Sequence, residues 1–266
     1  MARLAAGATA LTPRLDPMAS DLLSAAAADR LRLRLEAWLA AYLERRTKPL
    51  SRLRDAALTG AARGLAFQLI ERLGSMPRRG AGREIDALTP GDRAALARLG
   101  VRIGRQGVYL AAMLKPAARA VRAMLWAIQA GLETVPATPP GEALSMTLDR
   151  ALPRAFHEAI GYRVVGRLAL RLDAIERILA LAGKLSRVGP FTPSAEMAAL
   201  AGCRIEALGG VLGGLGFRAE APDVQGLVFY SPAAKGGRNK KRRRKQRPAN
   251  PCSPFAKLAS LRVSAS

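Results

Sequence analysis

The chain has 266 residues, half of them apolar, with 43 Lys and Arg against 20 Asp and Glu, a net charge of +23, one His and two Cys. This length and apolar content exclude disorder of the whole chain and fit one large or two small domains. Cys203 and Cys252 are too few and too distant for a disulfide framework, and His157 has no companion ligands, so no stapled scaffold or metal site is readable.

Residues 1–21 read as an irregular leader with a single Arg among the first ten residues and no apolar core of signal-sequence length. No run of 18 apolar residues follows, so a cytoplasmic chain with no membrane partner is expected. From residue 22 to 188 the pattern predicts a helical body. Leu31, Leu35, Trp38, Leu39, Tyr42 and Leu43 recur as the inward face of a helix over 22–50, with Arg30, Arg32, Arg34, Arg45 and Arg46 mostly off it and Pro49 marking the break. A second helix is predicted over about 51–73, carrying Gly60 and Gly64 one turn apart and ending at Gly74.

Thr89-Pro90-Gly91-Asp92 has the form of a capping box with proline at the first helical position, and Gly100 closes that short helix. The stretch 101–110 alternates around Gly104 and Gly107 and predicts a small hairpin or an irregular β segment. After Lys115-Pro116, residues 117–130 predict a helix that offers Val121, Leu125, Trp126 and Ile128 for burial. Residues 156–172 are ambiguous, because Arg163, Arg167 and Arg171 recur at a helical spacing while Tyr162, Val164 and Val165 favour strand. Asp173 with Glu176 predicts the start of the next helix, to about residue 182.

Residues 189–231 have their own organisation. Thr192-Pro193 predicts a helix to Leu200, Gly202 a turn, Arg204 to Leu215 a second helix, and Phe217–Glu220 with Leu227–Tyr230 a hairpin, a winged-helix-like order. As a reader of DNA sequence it is poorly equipped. Its second helix holds Arg204 and Glu206 but no Asn, Gln or Lys, and four glycines (Gly209, Gly210, Gly213, Gly214) that cost about 3–4 kcal/mol relative to Ala.

Charge is concentrated in the last segment, 232–266, which has 11 basic residues and no acid. The candidate nucleic-acid-binding residues are Lys235, Arg238, Lys240, Lys241, Arg242, Arg243, Arg244, Lys245 and Arg247, flanked by Gly236-Gly237 and by Pro248 and Pro251. Such a run repels itself and buries nothing, so it predicts a disordered basic arm that neutralises phosphates, with a log-log salt slope of roughly −4 to −8. No chemistry of turnover is legible. Gly183-Lys184 lacks the glycine and the Ser or Thr of a phosphate loop, 209–216 lacks G-x-G-x-x-G, no G-x-S-x-G occurs, and the lone His157 reads as a surface residue. No catalytic residue and no cofactor are expected.

Several segments, taken in order, carry a family likeness: Arg3-Leu4-Ala5-Ala6-Gly7 with Leu11-Thr12-Pro13-Arg14, Arg63-Gly64-Leu65-Ala66-Phe67-Gln68-Leu69, Leu99-Gly100-Val101-Arg102-Ile103-Gly104, Leu114-Lys115-Pro116, Gly161-Tyr162-Arg163-Val164 and Ser253-Pro254-Phe255-Ala256-Lys257-Leu258. Together they resemble the C-terminal accessory region of bacterial superfamily 2 helicases related to the RNA helicase of the mitochondrial degradosome. The resemblance implies a region that begins partway through its relatives, follows two RecA-like motor domains there, and carries none of the motor motifs itself. With the basic arm it points to RNA or other nucleic acid, and to a helicase core or RNA-degradation partner, as binding partners. The expected architecture is mainly α, a helical bundle-like accessory body with a small α+β winged-helix-like module and a disordered basic tail. Two rivals remain at this point: a winged-helix DNA-binding regulator, and a structural remnant without activity.

Overall fold

The computed structural model describes residues 2–17, 24–149, 151–222 and 226–233. Among them the chain is mainly helical with four small antiparallel sheets. By its contacts the chain divides into residues 1–232 and 233–266, and nearly all of the second unit, including every basic residue of the predicted arm, lies outside the described residues. No single described helix is long and apolar enough to cross a membrane.

The predicted irregular leader is instead a hairpin, β1 (Ala2–Ala5) against β2 (Arg14–Pro17), whose Leu4 and Leu15 pack with Leu39, Leu43, Val121 and Leu125. The first helix, α1 (Ala25–Asp55), runs straight through Pro49. A proline inside a helix costs about 3 kcal/mol, and here Leu43, Thr47, Leu50 and Leu53 are all buried on the turns either side of it, which offsets that loss. The apolar face is also narrower than the periodicity predicts. Leu39 and Leu43 are buried, whereas Leu31 is 40% and Trp38 58% exposed.

Because α1 absorbs residues 51–55, the second helix is short, α2 (Gly60–Glu71), and Gly60 starts it rather than lying inside it. Neither Gly60 nor Gly64 is in close contact, so the pair makes no tight helix crossing. Next come β3 (Ser75–Pro77), a 3-10 turn over 78–81, α3 (Gly82–Ala87) and α4 (Pro90–Arg98). The capping box of α4 forms as the sequence predicts: the Asp92 N–H donates to Thr89 Oγ1 at 3.1 Å and the Thr89 N–H donates to Asp92 Oδ2 at 3.0 Å. The predicted hairpin is β4 (Val101–Ile103) with β5 (Gly107–Leu110), and β3 joins it on the other side of β5. Leu53, Leu65, Leu69, Ile85, Leu96, Val108 and Leu110 close the first core.

Helix α5 (Pro116–Gln129) follows, then β6 (Ser145–Thr147) and α6 (Arg154–Ala159). The ambiguous stretch 156–172 contains both predicted types, the end of α6 and then a hairpin of β7 (Tyr162–Val165) and β8 (Leu168–Arg171). Helix α7 (Leu172–Leu185) starts at Arg171, not at an Asp173 cap, because Asp173 is engaged by the Arg171 guanidinium. Helix α8 (Ala195–Ala201) is capped by Ser194 rather than opened by Thr192-Pro193. A 3-10 turn over 205–207 leads into α9 (Leu208–Gly214), and β9 (Phe217–Ala219) pairs with β10 (Tyr230–Pro232). Ile175, Ile178, Leu179, Met197, Leu208, Leu212, Phe217 and Tyr230 form one core, so α7 shares its apolar face with residues 191–230.

Candidate nucleic-acid interface

All nine predicted arm residues, Lys235, Arg238, Lys240, Lys241, Arg242, Arg243, Arg244, Lys245 and Arg247, lie outside the described residues. The folded body nonetheless carries an arginine-rimmed cleft that the residue pattern did not announce. Strand β3 and the 3-10 turn after it supply Ser75, Pro77 and Arg79, the β4–β5 turn supplies Gln106, and α6 with β7 supplies Arg154, Glu158, Tyr162 and Arg163. These surround a cavity of about 100 Å³, room for several water-sized groups. A neighbouring cavity of about 280 Å³ shares Ser75, Pro77 and Glu158 and continues to Arg72, Trp126 and Gln129.

The rim is cationic for a local reason. Arg163 is anchored by its Nη1 donating to the Gln106 carbonyl at 3.1 Å, and burial, followed by the like charge of Arg79, holds its pKa below the usual arginine value. Arg79, Arg154 and Arg163 make no ion pair within the described residues, and Glu158 is the one carboxylate on the lining. The turn behind the rim is fixed from α7: Glu176 accepts the Arg105 N–H at 2.8 Å and the Gln106 N–H at 2.9 Å, while Arg78 Nη1 donates to the Gly104 carbonyl at 2.8 Å.

Beneath the cleft lie two arginines with no water contact. Arg119 and Arg122, both on α5, are 0% exposed, and neither pairs with a carboxylate among the described residues. Arg122 donates from Nη1 to the Met113 carbonyl at 3.0 Å and from Nη2 to Ser75 Oγ, and Ser75 Oγ donates onward to the Glu158 carbonyl at 3.1 Å. Arg119 donates to Tyr162 Oη and to the Gly141 carbonyl, and Tyr162 Oη donates to the Ala143 carbonyl at 2.6 Å. Burial, then the charge of Arg119, push the Arg122 pKa well below the ordinary arginine value. The Nε of each is left without a partner. Two unneutralised guanidiniums under an arginine rim raise the potential of the cleft and favour an anion there. A sequence signal for this pair exists: Arg122 falls in the stripe Ala118, Arg122, Leu125 of an otherwise apolar helix.

A third arginine is neutralised. Arg171 donates from Nε to Asp173 Oδ1 at 2.6 Å, from Nη2 to Asp173 Oδ2 at 3.0 Å and from Nη1 to Glu142 Oε2 at 2.7 Å. Burial would raise the Asp173 pKa, but the Arg171 hydrogen bonds and charge outweigh it and hold that carboxyl below its usual range. The network ties the 141–143 loop to the start of α7.

His157 corrects the sequence reading. It is 0% exposed, with Phe156 against its ring, Nδ1 3.3 Å from the Pro153 carbonyl and Nε2 without a partner. A lone His between Phe156 and Glu158 reads as a surface residue, yet α6 turns that side of the helix inward. Ser75, the hydroxyl on the cleft floor, spends its proton on the Glu158 carbonyl and accepts from Arg122, so no base activates it.

On α9, the exposed positions are Gly210, Gly213 and Gly214, which carry no donor or acceptor for a base edge. Two of the four glycines answer to packing: a Cβ on Gly214 would stand 2.7 Å from Val165 Cγ1 and 3.1 Å from the Gly166 nitrogen, and one on Gly209 would stand 2.7 Å from Tyr230 Oη. Comparison with protein-family models, with curated proteins and with solved structures returned no match.

Proposed function

We propose that this chain is the non-catalytic, RNA-binding accessory part of a superfamily 2 RNA helicase whose motor is supplied by another chain. The observation that carries the reading is the segregation of charge, 11 basic residues and no acid over 232–266 against a surplus of 12 spread over the preceding 231 residues. A charge run of that kind is a ligand for a phosphate backbone. The ordered segments that resemble the helicase accessory region support the choice of RNA and of a helicase partner. The cleft rimmed by Arg79, Arg154 and Arg163 supports a second phosphate contact on the folded body. In this reading the winged-helix-like order of α8, α9, β9 and β10 serves packing and protein contact, since its second helix presents glycines outward.

The test is binding of the purified chain to a single-stranded RNA across a salt series, with ATP hydrolysis measured in parallel. Expected are a log-log slope of about −4 to −8, loss of most of that slope on deleting 232–266, and no ATPase activity. A preference of about 10³ or more for one duplex DNA sequence over random duplex identifies a regulator instead and overturns the proposal.

A further inference from the structure

The outward side of α1 carries an aromatic ladder inside a field of cations that have no ion pair among the described residues. The Trp38 ring stacks on Tyr42, centroids 5.4 Å apart and planes at 17°, and the Arg46 guanidinium sits over the Tyr42 ring at 5.3 Å. The three residues are spaced 4 and 4, one helical turn each, and so share a side of the helix. Trp38 ends the ladder and is 58% exposed, a large aromatic surface that the fold does not cover.

At 100° per residue, Arg30, Arg34, Arg45, Arg46, Lys48 and Arg52 all fall within about 80° of Trp38 around the axis, and no carboxylate of α1 does. The two ion pairs along the helix, Arg32 with Asp29 and Arg54 with Asp55, engage other arginines. Those six cations therefore have no acidic partner among the described residues. The buried residues Leu39, Leu43, Thr47 and Leu50 lie about 100° or more from Trp38 around the axis, and only Leu53, near the end of the helix, falls within the same sector.

We propose that this side of α1 is a stacking platform for single-stranded nucleic acid, with an unpaired base on the Trp38–Tyr42–Arg46 ladder and backbone phosphates on the flanking arginines. This rests on the nucleic-acid reading above and adds a third contact to it, distinct from the arm and from the cleft. A π-surface among cations without acids is the chemistry that recognises an unstacked strand, and a duplex, whose bases already stack on each other, has no face to offer it. An acidic protein surface would use the cations but has no need of the ladder.

Trp38 and Trp126 are the two tryptophans, which gives a direct readout. The full chain is titrated with a 20-residue single-stranded oligoadenylate and, separately, with inorganic polyphosphate, following tryptophan fluorescence and affinity; Trp38→Ala and Trp38→Phe are compared with the unaltered chain, their folding checked by circular dichroism. Expected are quenching by the oligonucleotide that is lost in both variants, and an affinity weakened roughly 5- to 150-fold in Trp38→Ala and much less in Trp38→Phe, which keeps a ring. Polyphosphate binds all three alike without quenching. RNA binding of unaltered strength in Trp38→Ala, with no quenching in the unaltered chain, overturns the platform and leaves the RNA-binding proposal standing. No binding of the oligonucleotide at all overturns both.

Discussion

The carboxylate of Glu176 accepts a hydrogen bond from the backbone N–H of Gln106 at 2.9 Å, joining the middle of α7 to the turn between β4 and β5 across 70 residues of chain. Its other oxygen takes the Arg105 N–H at 2.8 Å. Gly104 makes this approach possible, since a Cβ there would lie 2.2 Å from Glu176 Oε1. That single contact sets the height of the turn on which Gln106 receives Arg163, so it positions one side of the arginine cleft.

Glu176→Ala removes two charge-assisted hydrogen bonds and is expected to lower stability by about 2–4 kcal/mol. Gly104→Ala forces the carboxylate away and is expected to cost about 1–3 kcal/mol. The two effects are coupled: in the Glu176→Ala background the glycine substitution becomes much cheaper. Urea denaturation of the four proteins of the double-mutant cycle measures this, and strictly additive costs contradict the contact.

Arg122 occupies a site that an apolar side chain of similar length can fill. Arg122→Met removes a buried, unneutralised charge together with its bonds to Met113 and Ser75, and is expected to change stability by less than about 1.5 kcal/mol. Arg122→Ala leaves a void and is expected to cost about 3–5 kcal/mol. Thermal melts that rank the two in the opposite order are incompatible with this account.

Alkaline pH acts through buried phenols. Burial first, then the charges of Asp173 and Glu176, raise the Tyr109 pKa from 10.0 to about 12, and burial raises that of Tyr162. Because the folded state holds the phenolic proton more tightly than the unfolded chain, this contribution is fully present below pH 10 and is lost as pH climbs towards 12. For Tyr109, which is 7% exposed, the loss amounts to at most about 2–3 kcal/mol. Urea midpoints that fall across that range in the unaltered chain and fall less steeply in Tyr109→Phe are the expected result.

The glycines of α9 divide into two kinds. Gly210 has nothing within 4 Å of where a Cβ would stand, so Gly210→Ala is expected to stabilise the fold by about 0.5–1 kcal/mol. Gly214→Ala meets Val165 and the Gly166 backbone and is expected to destabilise it by about 1–3 kcal/mol. Melting temperatures that move the same way for both variants argue against the packing described.

In the cleft, Arg154→Gln and Arg163→Gln each remove one cation of the rim that the proposed RNA binding would use. Each is expected to reduce the log-log salt slope for single-stranded RNA by about 0.7 and to weaken binding without regard to sequence. Glu158→Gln is expected to strengthen it. Salt titrations of the three variants with one oligonucleotide provide the check.

Short-range signals were legible from the residues. The Thr89–Asp92 capping box, the turn at Gly74, the hairpin over 101–110 and the helix after Lys115-Pro116 are all set by interactions within a turn or two of chain. The cleft was not legible, because Arg79, Gln106, Arg154 and Arg163 meet from four elements and no spacing links them. The glycines of α9 looked only like a loss of helix propensity until Val165 and Tyr230 were found against them.

The sequence by itself determined the location of the charge surplus, the positions of the local helix and hairpin signals, and the absence of a motor signature, since composition and caps act over a few residues. Tertiary structure alone decided that α1 passes through Pro49, that Trp38 stands outside while His157 is enclosed, and that Arg119 and Arg122 lie dry beneath the cleft. Whether a side chain is wet or buried depends on partners such as Ser75, Gly141 and Tyr162, 22 to 47 residues away, and no periodicity along one helix carries that information.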